Sequence, residues 1–300
     1  MYFTPILIRP IAHSLCFCRR PGKNIKQPLL AGLLVWLLVW LLTAGLSLFT
    51  APLAAADTLS RIEAQQAIDV CIWPDYYGIS YRNPKTRELS GIGIDLAQTL
   101  AQDLAVSLRF VDSSFPRLID DLLSERCAVA IFAIAVTPER QRHLDFTQPH
   151  LSSGIYAVTT RSNRRIRSWQ DIDRPGNVVA VARGTYHENI MRHTLRYARL
   201  LVTQRPNGRE EEVQSGRADV FMTDYPYSRR TLETTPWARL IEPLPGTEKM
   251  PYAFALKPGD SAWLARLEEF VTHIKRDGRL ADAARRHRLL PIVVSDTHAN

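Results

Sequence analysis

The feature that most constrains this fold is an unbroken apolar run at residues 128–135, which ends just before Thr137-Pro138. A run without a polar residue is typical of a strand that is buried on both faces, as in a parallel sheet. Threonine is a favoured N-cap and proline suits the first helical position, so a helix is predicted to begin at Thr137. The segment therefore indicates a buried strand that runs directly into a helix.

Short apolar runs alternate with amphipathic stretches from residue 68 onward. Strands are predicted at 68–73, 108–111, 128–135, 154–160, 178–182, 200–203, 218–222 and 252–256. Helices are predicted at 95–104, around 118–123, after 137, at 168–172, after 185, and at 210–214, 263–275 and 280–287. This order predicts an α/β protein with two β-α-β-α-β units and parallel sheets. Crossing segments near residues 157 and 250 would leave a cleft at the carboxyl ends of the strands, where ligands bind in such sheets.

The first 56 residues have the pattern of a targeting segment. Five basic residues and no acid precede 30 uncharged residues, 27–56, which close on Ala54-Ala55-Ala56. This pattern predicts a signal peptide or an N-terminal membrane anchor, with the rest of the chain exported to the periplasm. The leader contributes +5 to the formal net charge of +8, so residues 57–300 carry a net charge of only +3 and are close to neutral. A nucleic-acid partner is therefore not indicated.

The cysteines divide between the leader and the exported part. Cys16 and Cys18 lie in the basic leader, whereas Cys71 and Cys127 each lie at or near the start of an apolar run. An oxidising compartment permits a disulfide between the latter two if their strands are neighbours, and two buried thiols are the alternative. Without a C-x-x-C motif, and with scattered histidines, the sequence predicts neither a metal site nor a cofactor.

Arg140 lies about three positions into the helix that begins at Thr137. The positive end of the helix dipole disfavours a cation there by a few tenths to ~1 kcal/mol. The position is explained if an anion binds between the guanidinium and the free backbone N–H groups. The alternative is a surface ion pair of Arg140 with Glu139 or Asp145.

Several weak motifs occur in a fixed order between residues 66 and 290. They are SGIGIDL at 90–96, SFPRLIDDL at 114–122, TPER at 137–140, LDFT at 144–147, SWQDI at 168–172, GT at 184–185, GRADVFMTD at 216–224 and KRDGRL at 275–280. In this order the chain resembles the bacterial periplasmic solute-binding proteins of the polar amino-acid type, which serve ABC importers. The resemblance implies a type II periplasmic-binding-protein fold with two lobes and two hinge crossings. Each lobe is expected to be a doubly wound, mostly parallel sheet with flanking helices, residues 57–157 plus 250–300 forming lobe 1 and 158–249 lobe 2.

The resemblance also implies roles for single residues. Arg140 matches the arginine that grips the ligand α-carboxylate, and Asp224 matches the acid that receives the ligand ammonium. Thr185 would bind the same carboxylate at a strand-to-helix turn, although simple N-capping explains both Thr185 and Asp224 as well. Tyr76 and Phe115 match aromatic positions that sandwich the ligand side chain, and ordinary core packing is the alternative for both.

The predicted ligand-binding set is completed by Thr137, Tyr186 and Trp73. Where the resembled family usually has Ser or Thr, two residues before Thr137, this chain has Ala135, and Tyr186 replaces a residue that is often Thr. Trp73 stands where relatives that bind basic amino acids carry an acid. A lysine or arginine ligand is therefore disfavoured, and an apolar, aromatic or non-standard acidic ligand is favoured.

The expected partners are a small-molecule ligand, an amino acid or related carboxylate, and the membrane permease of an ABC transporter, with the exported protein a monomer. An enzyme is not the expectation, but some proteins that resemble this family are periplasmic cyclohexadienyl (arogenate/prephenate) dehydratases. The acid that this chemistry needs could come only from His187 or Glu188, both expected to lie on the surface of their helix. An accessory binding protein of a periplasmic dehydrogenase is the other alternative, which Cys71 and Cys127 suggest.

Overall fold

The computed structural model describes residues 57–205 and 207–294, so the predicted leader lies outside the described residues. The strands, in chain order, are β1 (Ala67–Ile72), β2 (Asp75–Tyr76), β3 (Ser80–Arg82), β4 (Leu89–Ser90), β5 (Ser107–Asp112), β6 (Val129–Ala135), β7 (Asp145–Phe146), β8 (Leu151–Ser153), β9 (Tyr156–Thr160), β10 (Val178–Ala182), β11 (Arg199–Thr203), β12 (Val220–Thr223), β13 (Ala238–Ile241) and β14 (Met250–Leu256).

The α-helices are α1 (Thr58–Gln65), α2 (Ile92–Asp103), α3 (Leu118–Leu123), α4 (Pro138–Gln141), α5 (Tyr186–Thr194), α6 (Gly208–Gln214), α7 (Tyr225–Thr234), α8 (Ser261–Arg276) and α9 (Arg279–Arg286). Short 3₁₀ turns lie at Phe115–Arg117, Trp169–Asp171 and Leu290–Ile292. Within residues 57–205 and 207–294, no helix combines the length and the apolar character that crossing a membrane requires.

A six-stranded sheet contains the apolar run with which the sequence analysis began. Its order is β5-β1-β6-β14-β7, and β8 pairs with β14. β1 is parallel to β5 and β6, whereas β14 is antiparallel to β6, β7 and β8. All seven residues of β6 are buried, as expected for a central strand that is covered on both faces.

A five-stranded sheet forms the second half of the architecture, in the order β11-β10-β12-β9-β13. β10 is parallel to β11 and β12, and β9 is antiparallel to β12 and β13. Both sheets are therefore mixed, with three parallel strands from a β-α-β-α-β unit and antiparallel strands added at one side. Four of the antiparallel strands, β8, β9, β13 and β14, adjoin the crossing segments that enter and leave each sheet.

The chain changes sheet twice, between Ser153 and Tyr156 and between Ile241 and Met250. These positions are close to the crossings predicted near residues 157 and 250. The division into a lobe of residues 57–157 and 250–300 and a lobe of 158–249 stays a prediction.

A small three-stranded sheet, β2-β3-β4, was not predicted, and neither were α1 and β13. Two of its strands have two residues each, which is too short for an alternating pattern to be recognised. The sheet lies between β1 and α2 in the chain and carries Tyr76.

Cys71, in β1, and Cys127, just before β6, are joined by a disulfide. The sequence left a disulfide and two thiols open, and the parallel pairing of β1 with β6 brings the two residues together. Both residues are buried, at 0% and 3% exposure. The bond therefore links neighbouring strands inside the core of the six-stranded sheet.

Candidate functional site

The candidate site is a cavity at the carboxyl ends of β1, β6, β10 and β12, where the two larger sheets meet. It is lined by Trp73, Tyr76, Phe115, Ala133, Ala135, Arg140, Thr185, Tyr186, His187, Arg209, Thr223, Asp224 and Tyr252. Its volume of about 20 Å³ has room for roughly one water molecule. Seven of the eight residues predicted from the sequence line this cavity, and Thr137 does not.

Arg140 lines the cavity and is buried, at 8% exposure. Its backbone N–H is capped by the Thr137 hydroxyl at 3.2 Å, which fixes the first turn of α4. Its guanidinium donates to the carbonyl of Ala135 at 2.9 Å and to that of Gly184 at 3.1 Å, and it lies 5.3 Å from the centroid of the Phe115 ring. A guanidinium has five N–H donors, so these two bonds leave capacity for both oxygens of a carboxylate. The alternative of a surface ion pair is wrong.

Burial lowers the pKa of Arg140 to about 10, so the side chain remains a cation at neutral pH. A buried cation is costly unless an anion or dipoles compensate it. Carbonyl dipoles do so here, and Gly184 supplies one of them from the turn that follows β10 of the five-stranded sheet.

Asp224 follows β12 and is fully buried. Its Oδ1 accepts the backbone N–H of Tyr227 at 3.2 Å and so caps α7. Its Oδ2 accepts the hydroxyl groups of Tyr76 and of Tyr252, the latter at 3.1 Å. Asp224 therefore caps α7 with Oδ1 and binds the two tyrosine hydroxyl groups beside the cavity with Oδ2, so the two roles are compatible. Burial raises the pKa of Asp224, and the hydrogen bonds from Tyr76 and the Tyr227 backbone act against this rise.

Three aromatic side chains form one wall of the cavity. The ring centroids are 5.2 Å apart for Trp73 and Tyr76, 5.3 Å for Trp73 and Phe115, and 6.0 Å for Tyr76 and Phe115. Tilted and edge-on pairs at such distances are favourable and hold the rings in fixed positions. Trp73 and Tyr76 are buried and Phe115 is half-buried. These rings offer an apolar surface beside the charged groups.

Thr185 lines the cavity, but its hydroxyl is already engaged. It donates to the Ala182 carbonyl at 2.7 Å and accepts the Glu188 backbone N–H at 3.3 Å. The backbone N–H of Thr185 also donates to the Ala182 carbonyl, at 3.4 Å. The N-cap alternative therefore describes Thr185 in this structure, and a ligand would have to displace one of these hydrogen bonds. The half-buried ring of Tyr186, the next residue, also lines the cavity.

The expectation that His187 and Glu188 lie on the helix surface is wrong for His187, which is 7% exposed and lines the cavity. Burial, with Arg209 and Arg140 nearby, lowers the pKa of His187 to about 3. Its Nδ1 has no hydrogen-bond partner. Glu188 is partly buried and does not line the cavity, because its carboxylate binds the Gly184 N–H at 2.6 Å and the Arg192 guanidinium at 2.7 Å.

Sequence reasoning missed Arg209 and Tyr252. Arg209 lies in the first turn of α6, the same kind of position that drew attention to Arg140. The helix was predicted to begin at residue 210, two residues after its observed start at Gly208, so this arginine was left outside it. Tyr252 was seen only as part of a strand, and nothing local indicates that its hydroxyl reaches Asp224.

A larger groove of about 330 Å³ lies away from these residues. It is lined by Tyr77, Gly78, Tyr81, Ser90, Gly91, Pro226, Arg229, Arg230, Glu233, Arg286, His287, Arg288 and Leu289. Its charged groups are paired at the surface, as in Arg286 with Asp95 at 2.7 Å and Arg288 with Glu233 at 2.8 Å. The small cavity is the better candidate because its charged groups are buried and aimed at one point.

The family model of the bacterial extracellular solute-binding proteins, family 3, matches residues 68–288. The chain is 30% identical over 232 residues to a cyclohexadienyl dehydratase of Pseudomonas aeruginosa, with 76% of this chain and 84% of the relative covered. It is 24% identical over 226 residues to the ABC transporter glutamine-binding protein of Bacillus subtilis, with 74% of this chain and 81% of the relative covered.

A solved structure of an ancestral amino acid-binding protein, described as a precursor of cyclohexadienyl dehydratase, is also similar. Its TM-score is 0.71 at 26% identity, with 76% of this chain and 98% of that chain covered. This likeness confirms the predicted fold class, that of the type II periplasmic binding proteins.

Proposed function

Because this chain belongs to the bacterial extracellular solute-binding proteins, family 3, we propose that its solute is an amino acid or a related small carboxylate, delivered to an ABC importer. Relatives described as cystine-, glutamine- and arginine-binding support an amino-acid ligand. The proposed binding residues are those predicted from the sequence, namely Arg140, Asp224, Thr185, Tyr76, Phe115, Thr137, Tyr186 and Trp73, with Thr137 acting through the helix that carries Arg140.

One observation carries the proposal: a buried arginine and a buried aspartate line the same cavity from different sheets. Arg140 follows β6 of the six-stranded sheet, and Asp224 follows β12 of the five-stranded sheet. A zwitterion has a carboxylate for the first and an ammonium for the second. Ligand that bridges the two groups favours the closed arrangement, by its extra affinity for that form.

The cavity as described holds about one water, so the ligand must enter an opened cleft. The Tyr76 hydroxyl donates a hydrogen bond to Oδ2 of Asp224. The ammonium of a bound ligand would donate to the same carboxylate and would compete with Tyr76 for it. The two predicted lobes, 57–157 with 250–300 and 158–249, are the bodies that would separate. A micromolar ligand would supply about 8 kcal/mol for binding and closure together.

Replacement of Arg140 by alanine is expected to weaken ligand binding by about 2–5 kcal/mol, well over tenfold, because the carboxylate would be buried unpaired. Isothermal titration calorimetry with a ligand found in a thermal-shift screen of amino acids measures the change. Arg142→Ala, two positions along at an exposed site, is the matched control and should bind as the wild type does. Equal affinity of Arg140→Ala and wild type would refute the assignment.

Gly184→Ala is expected to hinder closure. A Cβ at this position would lie 2.8 Å from the backbone nitrogen of Pro116 and 3.0 Å from the carbonyl carbon of Phe115. Both of these residues belong to the segment between β5 and β6 of the six-stranded sheet, whereas Gly184 follows β10 of the five-stranded sheet. Overpacking of this kind costs about 1–3 kcal/mol, so affinity should fall by roughly 5- to 150-fold.

The matched control is Gly176→Ala. Both glycines have a positive φ, +73° and +83°, but a Cβ at Gly176 meets nothing within 4 Å. Both variants should therefore lose about 1 kcal/mol of stability through backbone strain, and only Gly184→Ala should lose affinity. Closure can be followed by small-angle X-ray scattering, and unchanged ligand-induced compaction in Gly184→Ala would contradict the closure proposal.

The second candidate function is a cyclohexadienyl dehydratase-like activity, favoured by the similarity to the Pseudomonas aeruginosa enzyme. The two candidate general acids, His187 and Glu188, favour the binding function over the enzymatic one. Burial lowers the pKa of His187 to about 3, so at physiological pH the side chain lacks the acidic imidazolium proton that a general acid needs. The carboxylate of Glu188 is held by the Gly184 N–H and the Arg192 guanidinium. Incubation with arogenate or prephenate, followed by chromatography for the aromatic product, tests this. Turnover abolished by a cavity substitution would replace the binding proposal with the enzymatic one.

Members of this family are extracellular. For this chain we infer a periplasmic location, reached through the leader at residues 1–56, and action as a monomer with an ABC permease. Mass spectrometry of the exported protein distinguishes cleavage after Ala56 from an uncleaved anchor.

A further inference from the structure

The cavity contains a second buried guanidinium that a simple zwitterion does not need. Arg209 is 2% exposed and lines the cavity together with Arg140 and Asp224. It is held rigidly, with its Cζ 4.1 Å from the Tyr227 ring centroid and its Nη1 donating to the Met222 carbonyl at 3.2 Å. A guanidinium fixed in this way is preorganised for a ligand, because no side-chain entropy is lost on binding.

The charges that line the cavity do not balance. Two arginines, Arg140 and Arg209, face one carboxylate, that of Asp224. Glu210 binds the Nε edge of Arg209 at 3.2 Å, but it does not line the cavity. The other donors of Arg209 therefore remain for a group inside the cavity. The ion pair with Glu210 compensates part of the charge of Arg209, and a ligand carboxylate at the remaining donors would add charge-assisted hydrogen bonds inside the cavity.

His187 gives a second, independent indication. It lines the cavity, is more than nine-tenths buried, and has an Nδ1 without a hydrogen-bond partner. A buried polar atom left unpaired costs about 1–3 kcal/mol, and a polar group of a ligand would remove this cost. The imidazole lies close enough to Arg209 and Arg140 for both to act on its charge, so these groups surround one region of the cavity.

We propose that Arg209 and His187 form a second subsite that binds a carboxylate on the side chain of the ligand. The ligand class is then an acidic amino acid, with its α-carboxylate on Arg140, its ammonium on Asp224 and its side-chain carboxylate on Arg209. Arg209 supplies the charge-assisted hydrogen bonds, and neutral His187, as the tautomer with its proton on Nδ1, donates one further hydrogen bond to the carboxylate. This inference rests on the proposed function, because it adds a third contact to the same bound zwitterion.

The test compares matched ligand pairs on the wild-type protein by isothermal titration calorimetry. L-glutamate is compared with L-glutamine and L-aspartate with L-asparagine, which differ in charge and hardly in size. We expect at least one acid to bind tenfold or more tightly than its amide. Amides, or apolar and aromatic amino acids, that bind as well as or better than the acids overturn the second subsite and leave amino-acid binding in place. Failure of every amino acid in a complete panel to bind overturns the proposed function and the subsite with it.

Variants separate a ligand contact from a structural role. Arg209→Gln and His187→Gln should lower the affinity for the acid about tenfold or more and leave that for its amide within about threefold, so the acid-to-amide ratio falls towards one. A purely structural role would weaken both ligands together. Arg199→Gln, at an exposed position of the same sheet, is the control and should keep the wild-type ratio. If Arg209→Gln does not fold, His187→Gln and the wild-type ratio still decide, and an unchanged ratio in His187→Gln and Arg209→Gln overturns the proposal.

Discussion

Acidification of the ligand-free protein from pH 7.5 to pH 5 is expected to remove about 4 kcal/mol from the free energy of unfolding, half from each of two buried histidines. His187 and His150 are 7% and 2% exposed, and burial lowers the pKa of each from 6.5 to about 3. Arg209 and Arg140 add to the effect at His187, and Lys275 adds to it at His150. The unfolded chain takes up these protons below pH 6.5, whereas the folded chain resists them down to about pH 3.

The sign follows from the proton count. Below pH 6.5 the unfolded state binds more protons than the native state, so stability falls as the pH is lowered through this window. The full stabilisation is present above pH 6.5 and is lost progressively towards pH 3. Ordinary carboxyl groups titrate near pH 4, below this range, and the carboxyl of Asp224, whose pKa burial raises, would act in the opposite sense, so substitution of the histidines assigns the effect.

Urea unfolding at several pH values measures this dependence, and substitution assigns it. A double variant, His150→Gln with His187→Gln, should show a much flatter profile between pH 7.5 and pH 5, whereas replacement of the exposed His143 should change nothing. A double variant as sensitive to acid as the wild type would show that these two histidines are not the cause.

Reduction of the disulfide is expected to cost about 4 kcal/mol of stability, the second large effect. Cys71 and Cys127 are 56 positions apart in the sequence, and the chain-entropy treatment gives about 4 kcal/mol at 25 °C for a loop of this length. The loss arises because the unfolded chain regains the freedom that the cross-link removed. Both sulfurs lie in the core, so the folded state should keep its architecture when the bond is absent.

Urea unfolding with and without dithiothreitol measures the effect on the wild type. The matched variant carries Cys71→Ala with Cys127→Ala, which should be destabilised to a similar extent and be insensitive to dithiothreitol. A wild-type protein with equal stability in the oxidised and reduced states would contradict the prediction. An alanine pair that still responds to reductant would assign the effect to another group.

Much of the fold could be predicted because the signals are local. The run at residues 128–135 became β6 (Val129–Ala135), and the helix signal at Thr137-Pro138 became α4, with the Thr137 hydroxyl capping Arg140 as expected. Apolar period and capping chemistry act over a few neighbouring residues, so a single sequence displays them. The short strands β2 and β4 escaped because two residues cannot show a period.

The site was only partly predictable, because its chemistry depends on distant pairs. Tyr76 and Asp224 are separated by 148 positions and share a hydrogen bond. His187 and Arg209 were assigned to the surface or not considered, since a histidine and an arginine have the same local pattern whether they face solvent or a cavity. Burial, which decides the protonation of His187, is set by the neighbouring sheet.

The sequence by itself determined the order of strands and helices, the family and the two candidate groups for a zwitterion, Arg140 and Asp224. Only the tertiary structure decided that Cys71 bonds Cys127, that His187 is buried with an Nδ1 that has no hydrogen-bond partner, and that Arg209 adds a second cation to the cavity. The physical reason is that periodicity and capping are local properties of the chain, whereas desolvation and charge balance are properties of the packed interior.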